Sequence, residues 1–230
     1  MTTFVAGPFF LVKPGEQIPP GGLTVSYCLA GIAPDTWALD WVLMDQPDRI
    51  AAAARCGIAE DQLPGVVAWA AEHFDRAGFA WPNVLLNIET ARGFRRRFLP
   101  QSFHLLQIYL PERLAESFLA LAAPPPQQPG FAPVGATGVC QALCNPQLTE
   151  TPGERRGFEV LGYDSAGGFD SFRCNRLERD FARLLGVRFN QWGLIEEDAA
   201  ALQCAEYANR PDVGTCADAW HPWLVVEHAL

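Results

Sequence analysis

A long uncharged stretch, rich in proline, interrupts the middle of this chain and limits how it can fold. No residue between Glu116 and Glu150 carries a charge, and residues 123–133 contain five prolines. Proline lacks an amide hydrogen and fixes φ, so this segment cannot form the interior of a helix or a central strand, and it favours an extended chain. The sequence therefore predicts a linker over residues 123–150.

Residues 1–122, before this linker, predict a half that mixes helices and strands. Apolar runs bounded by glycine and proline predict strands, and apolar side chains three or four residues apart predict helices. The predicted strands are 4–12, 23–30 and 103–110. The predicted helices are one around Trp37 to Met44, one from Pro47 past Ala54, one from Pro64 to Ala77, one around Phe94 and Phe98, and one from Pro111 to Leu121.

Residues 151–230, after the linker, predict a ββααβ half. Its predicted elements are, in order, strands at 157–163 and 169–172, helices opening at Asn175 and at 196–198, and a strand from Trp220 to Glu227. Asn175 is expected to cap the first amides of its helix while the Glu178 side chain reaches back. Together the halves predict an α+β fold with mixed helices and mainly antiparallel strands.

Size and composition place the chain among globular proteins. At 230 residues and 49% hydrophobic content it can bury a sizeable core, and its length lies between one large domain and two small ones. The sequence leaves open whether the two halves share one core, and it carries no signal of oligomeric state.

Cysteine usage and the amino terminus indicate a soluble protein of the cytoplasm. The seven cysteines are odd in number and irregularly spaced, which is typical of reduced thiols. The first residues lack the basic region of a secretory signal, and no apolar run is long enough to cross a bilayer. We therefore expect no membrane association.

Most of the net charge lies in the last forty residues. After Asn190 there are seven acidic side chains and one base, Arg210, so this segment contributes −6 of the net charge of −9. An acidic surface repels anions and attracts cations, which argues against nucleic acid and favours a basic protein partner.

The candidate partner-binding residues come from this acidic segment. Acids in the first turn of a helix complement its dipole whatever the partner, which explains three of them without any function. The remaining acids and a nearby tryptophan predict an acidic surface edged by an aromatic side chain, a combination suited to an arginine- or lysine-rich protein. The predicted contacts are Glu196, Glu197, Asp198, Glu206, Asp212, Asp218 and Trp220.

The residues give weak support to a metal site or a cofactor. Cys140 and Cys144 form one loose pair, whereas structural zinc sites usually use two tight pairs. The glycines near Gly135 and Gly138 lack the lysine of a phosphate-binding loop. We expect no metal and no cofactor.

Catalytic arrangements are equally weak in this sequence. Cys174 with His221 could act as nucleophile and base, and Asp164 with Asp170 could act as paired carboxylates. A helix entry and a turn explain these residues more simply, because asparagine and aspartate favour both for local hydrogen bonding. No catalytic residue is predicted.

Arg92, Arg95, Arg96 and Arg97 form a compact basic cluster with Phe94 and Phe98 at helical spacing. In a chain this acidic, the cluster is expected to form a solvated helix face or to pair with the acidic half.

Four segments of the second half have a recognisable sequence character: 158–164, 171–178, 190–195 and 220–226. In these segments the chain resembles the small acidic immunity proteins encoded beside bacterial polymorphic toxins. The resemblance implies a cytoplasmic protein that blocks the active site of a cognate toxin, frequently a nuclease with a basic cleft. It transfers no binding residue by position, since immunity folds are diverse.

Two other classes of function remain alternatives. A small hydrolase would place perturbed titratable groups in a deep pocket between the halves. An adaptor or structural subunit of a secretion-related assembly would expose large apolar patches.

Overall fold

A computed structural model of the chain describes residues 3–13, 49–73, 79–80, 84–122, 137–145, 152–163, 169–173, 175–215 and 217–230. The predicted strand at 23–30 and the predicted helix around Trp37 to Met44 lie outside the described residues.

Seven strands of the described residues form one antiparallel sheet. They are β1 (Phe4–Val12), β2 (Phe79–Ala80), β3 (Val84–Leu85), β4 (His104–Pro111), β5 (Glu154–Tyr163), β6 (Phe169–Ser171) and β7 (Ala219–His228). Their order across the sheet is β2-β3-β1-β4-β7-β5-β6. β4, β7 and, from Phe158 on, β5 are almost wholly buried, which matches the apolar residues that dominate these stretches.

Within the described ranges, seven α-helices cover the two faces of this sheet. They are α1 (Arg49–Cys56), α2 (Leu63–His73), α3 (Ile88–Phe98), α4 (Glu112–Ala122), α5 (Thr137–Leu143), α6 (Glu178–Leu184) and α7 (Asp198–Ala208). A short 3₁₀ turn, Glu60–Gln62, precedes α2.

Successive side chains along each strand point to opposite faces of the sheet, so the core is divided between these two faces. On one face, Leu106, Ile108 and Val225 pack with Phe118 of α4 and Val139 of α5. On the other face there are two clusters. One packs β1 and β4 against helices α1 to α3, and the other packs β5 and β7 against α6 and α7. The sheet is therefore buried on both sides, as its apolar composition requires.

The two predicted halves share this sheet. β4, from the first half, pairs with β7, from the second, from Leu105 opposite His228 to Tyr109 opposite Leu224. β7 thus lies between β4 and β5, so strands from both predicted halves belong to one continuous sheet. The sequence left open whether the two halves are joined in this way.

Part of the predicted linker belongs to the folded body. Within 123–150, residues 137–143 form α5, and Ala142 and Val139 are at most 1% exposed. The absence of charge that indicated a linker also suits a helix buried in an apolar core, since both lack charged side chains.

The first helix of the second half begins later than its sequence indicates. α6 starts at Glu178 with Leu177 as its N-cap residue. Residues 175–177 form a turn in which Arg176 has φ of 58° and the Leu177 amide donates to the Phe172 carbonyl. The start predicted at Asn175 is therefore three residues too early, because the turn takes the place of the first helical residues.

The prediction of an α+β fold with mainly antiparallel strands is confirmed by this architecture. Among the helices of the described ranges, none has the length and apolar character needed to span a bilayer.

Candidate functional site

A tight turn at residues 190–194 is the starting point of the candidate site. The Asn190 Oδ1 accepts from the backbone amides of Trp192 at 2.9 Å and Leu194 at 3.0 Å, while its Nδ2 donates to the Arg156 carbonyl at 2.6 Å. Gly193 completes the turn with φ of 74°, a conformation that glycine adopts at little cost. One asparagine side chain thus both closes the turn and ties it to β5.

Backbone pairing holds the end of this turn against the edge of the sheet. Phe158 and Ile195 exchange two backbone hydrogen bonds, of 2.6 and 3.0 Å. The preceding residue, Gly157, has φ of 131°, and a Cβ there would lie 2.8 Å from the Ile195 carbonyl oxygen. Only glycine allows the turn to lie this close to β5.

Trp192 is presented by this turn at the protein surface. The indole is half-buried and packs against the core on the α4 and α5 face of the sheet. The guanidinium carbon of Arg156 lies 4.3 Å from the centre of the indole ring, within the range of a cation–π contact. The ring is therefore fixed from two sides while part of it remains accessible.

Arg156 is in turn held by two carboxylates. Its Nε and Nη2 donate to Glu227 Oε2 at 2.7 and 2.6 Å, and its Nη1 pairs with Glu154. The other oxygen of Glu227 lies 2.7 Å from His104 Nδ1. This network joins β4, β7 and β5 below Trp192, and because the Arg156 and Glu227 side chains are 13% and 18% exposed, water screens it only partly.

An open cavity of about 540 Å³ lies beside Trp192. This size is within the range of pockets that bind small ligands or single side chains of a partner, about 300–1,000 Å³. Its lining residues are Arg155, Arg156, Gly157, Phe158, Asn190, Gln191, Trp192, Glu196 and Leu224. We call it the Trp192 pocket.

The charged side chains that line the Trp192 pocket differ in their ionic partners. Arg156 is paired with Glu227 and Glu154, and Arg155 lies over the Phe4 ring at 5.7 Å. The Glu196 carboxylate is exposed and makes no ion pair or hydrogen bond with a described residue. The pocket therefore presents an exposed carboxylate beside two arginines that have partners of their own.

The structure separates the predicted partner-binding acids into two groups at the two ends of α7. Glu196, Glu197 and Asp198 lie at the amino-terminal end, beside the Trp192 pocket, with Glu196 and Glu197 exposed and Asp198 half-buried. The Glu197 side chain makes no capping bond. The exposed carboxylates of Glu196 and Glu197 thus form an acidic rim next to the Trp192 pocket.

The second group lies at the carboxyl-terminal end of α7. Glu206 is exposed there, and Asn209 ties this end to the start of β7 through two hydrogen bonds with the Trp220 backbone. Asp218 is also exposed, next to Tyr163 at the far end of β5. Asp198, at the first turn of α7, and Glu206 are about 12 Å apart along the helix axis, so the acids do not form one continuous patch.

Asp212, the remaining acid of that group, is already neutralised. Arg210 donates to both of its oxygens, at 3.0 and 2.6 Å. The hydrogen bonds from Arg210 lower the pKa of the Asp212 carboxyl below its ordinary value. Asp212 therefore adds little to an anionic surface.

Trp220 does not form the exposed aromatic edge that the sequence indicated. It is only 2% exposed, and its indole Nε1 donates to the Thr215 hydroxyl at 2.9 Å. It lies on β7, in the core beneath α7. That prediction is wrong because the strand that carries Trp220 lies inside the sheet. Among the tryptophans that the structure describes, Trp192 is the one beside exposed acids.

His221, the predicted partner of Cys174, is buried against the ring of Phe118 at a centroid distance of 5.4 Å. Burial lowers the pKa of His221 to about 4, so the imidazole is neutral at pH 7. Cys174, Asp164 and the side chain of Asp170 lie outside the described residues.

The paired cysteines of the sequence lie on α5 and just after it. Burial raises the pKa of the Cys140 thiol to about 11, with a smaller contribution from Cys144. Cys56, Cys140, Cys144 and Cys204 are free thiols. Within the ranges that the structure describes, no three His, Cys, Asp or Glu residues are grouped so as to hold a metal ion.

The arginine cluster of α3 is used partly within the fold. Arg92 donates to Glu89 at 2.7 Å and to the Ala229 carbonyl at 3.0 Å, and Arg95 donates to the Gln101 carbonyl. Arg96 and Arg97 are exposed. The cluster therefore ties α3 to the chain's last residues and otherwise faces solvent.

Large apolar side chains that are exposed among the described residues lie on separate elements. They are Ile50, Leu121, Leu184 and Leu230. Single exposed apolar residues of this kind are usual on a protein surface and do not indicate an assembly interface.

No family model, curated protein or solved structure matches this chain.

Sequence reasoning missed Trp192 as a site residue although a signal was present. Asn190 and Gly193 bracket the tryptophan, and both residue types favour tight turns. A tryptophan within such a turn is expected at the surface, whereas one in an apolar run such as Trp220 is expected in a strand. The turn-forming residues on either side of Trp192 therefore indicate the site, whereas the number of acidic residues does not.

Proposed function

We propose that this protein binds and neutralises a basic protein toxin, in the manner of an immunity protein, and that the toxin docks on the Trp192 pocket and its acidic rim. The observation that carries the proposal is the rigidly held, half-buried Trp192 beside the unmatched carboxylates Glu196 and Glu197.

The energetics of protein interfaces support this choice of surface. A few residues dominate binding, and tryptophan in a partly enclosed pocket is among the most frequent of them. Asn190 and the pairing of Phe158 with Ile195 fix the turn before any partner arrives. A surface fixed in advance loses little conformational entropy on binding, which favours affinity.

Electrostatics favour a cationic partner. The chain carries a net charge of −9, and the carboxylates at the pocket end of α7 are solvent-exposed. Opposite charge on the partner accelerates encounter and fixes its orientation more than it adds affinity. We therefore expect association that is fast and sensitive to salt.

The proposed role places the protein in the cytoplasm of the producing cell, where it meets a toxin before export. Four free thiols among the described residues are in keeping with a reducing compartment. A nuclease toxin fits the proposal, because its substrate cleft is basic and complements an acidic surface.

Co-expression with the product of the adjacent gene tests the proposal. We expect this chain to restore growth to cells in which that product is toxic, and the Glu196→Lys/Glu197→Lys variant to lose the protection. Glu206→Lys, a single charge reversal of the same kind at the far end of α7, serves as the control and should still protect. A toxic neighbour whose effect the wild-type chain leaves unchanged would remove the immunity proposal.

A further inference from the structure

We infer that the Trp192 pocket is a receptor for the guanidinium group of an arginine side chain. The inference rests on the proposed function, since it names the chemical group that a basic partner would insert at that site.

Charge matching within the pocket determines the sign of its ligand. Both lining arginines are already engaged, Arg156 by two carboxylates and Arg155 by contacts that include the Phe4 ring. An incoming anion would have to compete with Glu227 and Glu154 for Arg156, and it would be repelled by Glu196. An incoming cation finds Glu196 exposed and unpaired.

The shape and aromatic character of the pocket favour guanidinium over ammonium. Guanidinium is planar, stacks on aromatic rings and matches a carboxylate with two parallel hydrogen bonds. Because the Arg156 guanidinium already lies 4.3 Å from the centre of the Trp192 ring, an incoming guanidinium would contact the part of the indole that remains accessible and pair with Glu196. The side-chain amide of Gln191, also at the lining, supplies a further neutral acceptor.

Arg156 occupies a face of the Trp192 ring but does not pair with Glu196. Its three nitrogens are bound to Glu227 and Glu154, so its guanidinium leaves the Glu196 carboxylate to other cations. The network with His104 fixes Glu227 in turn. The pocket therefore keeps its acidic rim available for a cation from outside the chain.

The test uses a small probe and needs no partner protein. N-acetyl-L-argininamide, which carries one guanidinium and no other charge, is titrated into ¹⁵N-labelled protein at constant ionic strength while the indole N–H signals are recorded. The Trp192 signal is assigned from the Trp192→Phe variant. We expect a saturable shift of that signal at millimolar probe concentration, with a smaller effect from N-acetyl-L-lysinamide and none from neutral N-acetylglycinamide.

Matched variants test the role assigned to the carboxylate. Glu196→Gln should weaken binding of the arginine probe by about threefold, the size expected for one exposed ion pair. Glu206→Gln removes the same charge at the other end of α7 and should leave binding unchanged. Both positions are exposed, so neither change is expected to disturb folding.

Three results would overturn the inference: no saturable shift at Trp192, equal responses to the arginine and lysine probes, or a saturable response to inorganic phosphate in their place. The outcome is separable from that of the proposed function. Growth rescue that depends on Glu196 and Glu197 without probe binding would reject only the guanidinium pocket, whereas probe binding without rescue would reject only the immunity role.

Discussion

At the scale of single residues, Asn190 holds the candidate site together. Its side chain makes three hydrogen bonds, to the Arg156 carbonyl and to the amides of Trp192 and Leu194. Asn190→Ala leaves these groups without their partner, and we expect it to lower the free energy of unfolding by about 2 kcal/mol. Urea denaturation measures the change. Gln191→Ala, at the exposed neighbouring position, should change it by less than about 0.5 kcal/mol, and equal effects of the two variants would contradict the role of Asn190.

Burial of His221 should make the free energy of unfolding depend on pH in a direction that can be derived. Burial lowers its pKa to about 4, whereas an imidazole in the unfolded chain titrates near pH 6.5. Between these values the unfolded state binds more protons, so stability is lost as the pH falls from about 6.5 toward 4. From pH 7 to pH 5 the loss due to His221 is about 2 kcal/mol.

The variant His221→Leu should remove that part of the pH dependence. Leucine suits the apolar contact with Phe118 and does not titrate. Urea denaturation at pH 7 and pH 5 compares the two proteins. Some dependence should persist, because burial also lowers the pKa of His228. If wild type and His221→Leu lose the same stability between pH 7 and pH 5, the imidazole is not neutral in the fold.

At the scale of elements, α5 shows that the uncharged segment contributes to the core. Val139 is 1% exposed and packs beneath the sheet with Phe118 and Leu106. Val139→Ala removes two buried methyl groups and leaves a small cavity, so we expect a loss of about 2 kcal/mol in the free energy of unfolding. Gln141→Ala, on the exposed side of the same helix, should be close to neutral. A neutral Val139→Ala would mean that α5 is not docked in solution.

The elements that could be predicted from sequence are those whose pattern has a single physical explanation. The apolar runs of β1, β4 and β7 and the spaced aromatics of α3 predict their elements to within a few residues, because burial on one or both faces dictates the pattern. α5 could not be predicted, since a lack of charge fits both a linker and a buried helix. The late start of α6 depends on the turn at Arg176, for which no local signal exists.

The candidate site was only partly predictable for a related reason. Charge counting located Glu196 and Glu197, which are exposed at the pocket. It grouped them with Glu206 and Asp218, because distance along the chain does not reveal that α7 holds the two groups apart. It also chose Trp220 over Trp192, because the central position of β7 follows from strand order, a property of the whole sheet.

At the scale of the whole molecule, the division of the acids between the two ends of α7 predicts different roles for them in the proposed complex. Groups at the Trp192 pocket would contact the partner, whereas Glu206, about 12 Å from the first residue of α7 by the helix rise, would act on the partner only through the long-range field. At 0.15 M salt the Debye length is about 8 Å, so that field is screened, and at 0.01 M it extends to about 30 Å.

Association kinetics should therefore separate the two groups. With the proposed toxin partner, Glu206→Lys is expected to slow association several-fold at 0.01 M salt, to have little effect at 0.15 M, and to leave dissociation unchanged, because rim charges act on encounter. Glu196→Lys/Glu197→Lys should slow association at low salt and also accelerate dissociation at both salt concentrations, since the proposal places these residues in the contact itself. Stopped-flow or surface-based kinetics at the two salt concentrations measure both rates. If Glu206→Lys accelerated dissociation as strongly as the double variant, the docking surface would lie along α7 and not at its pocket end.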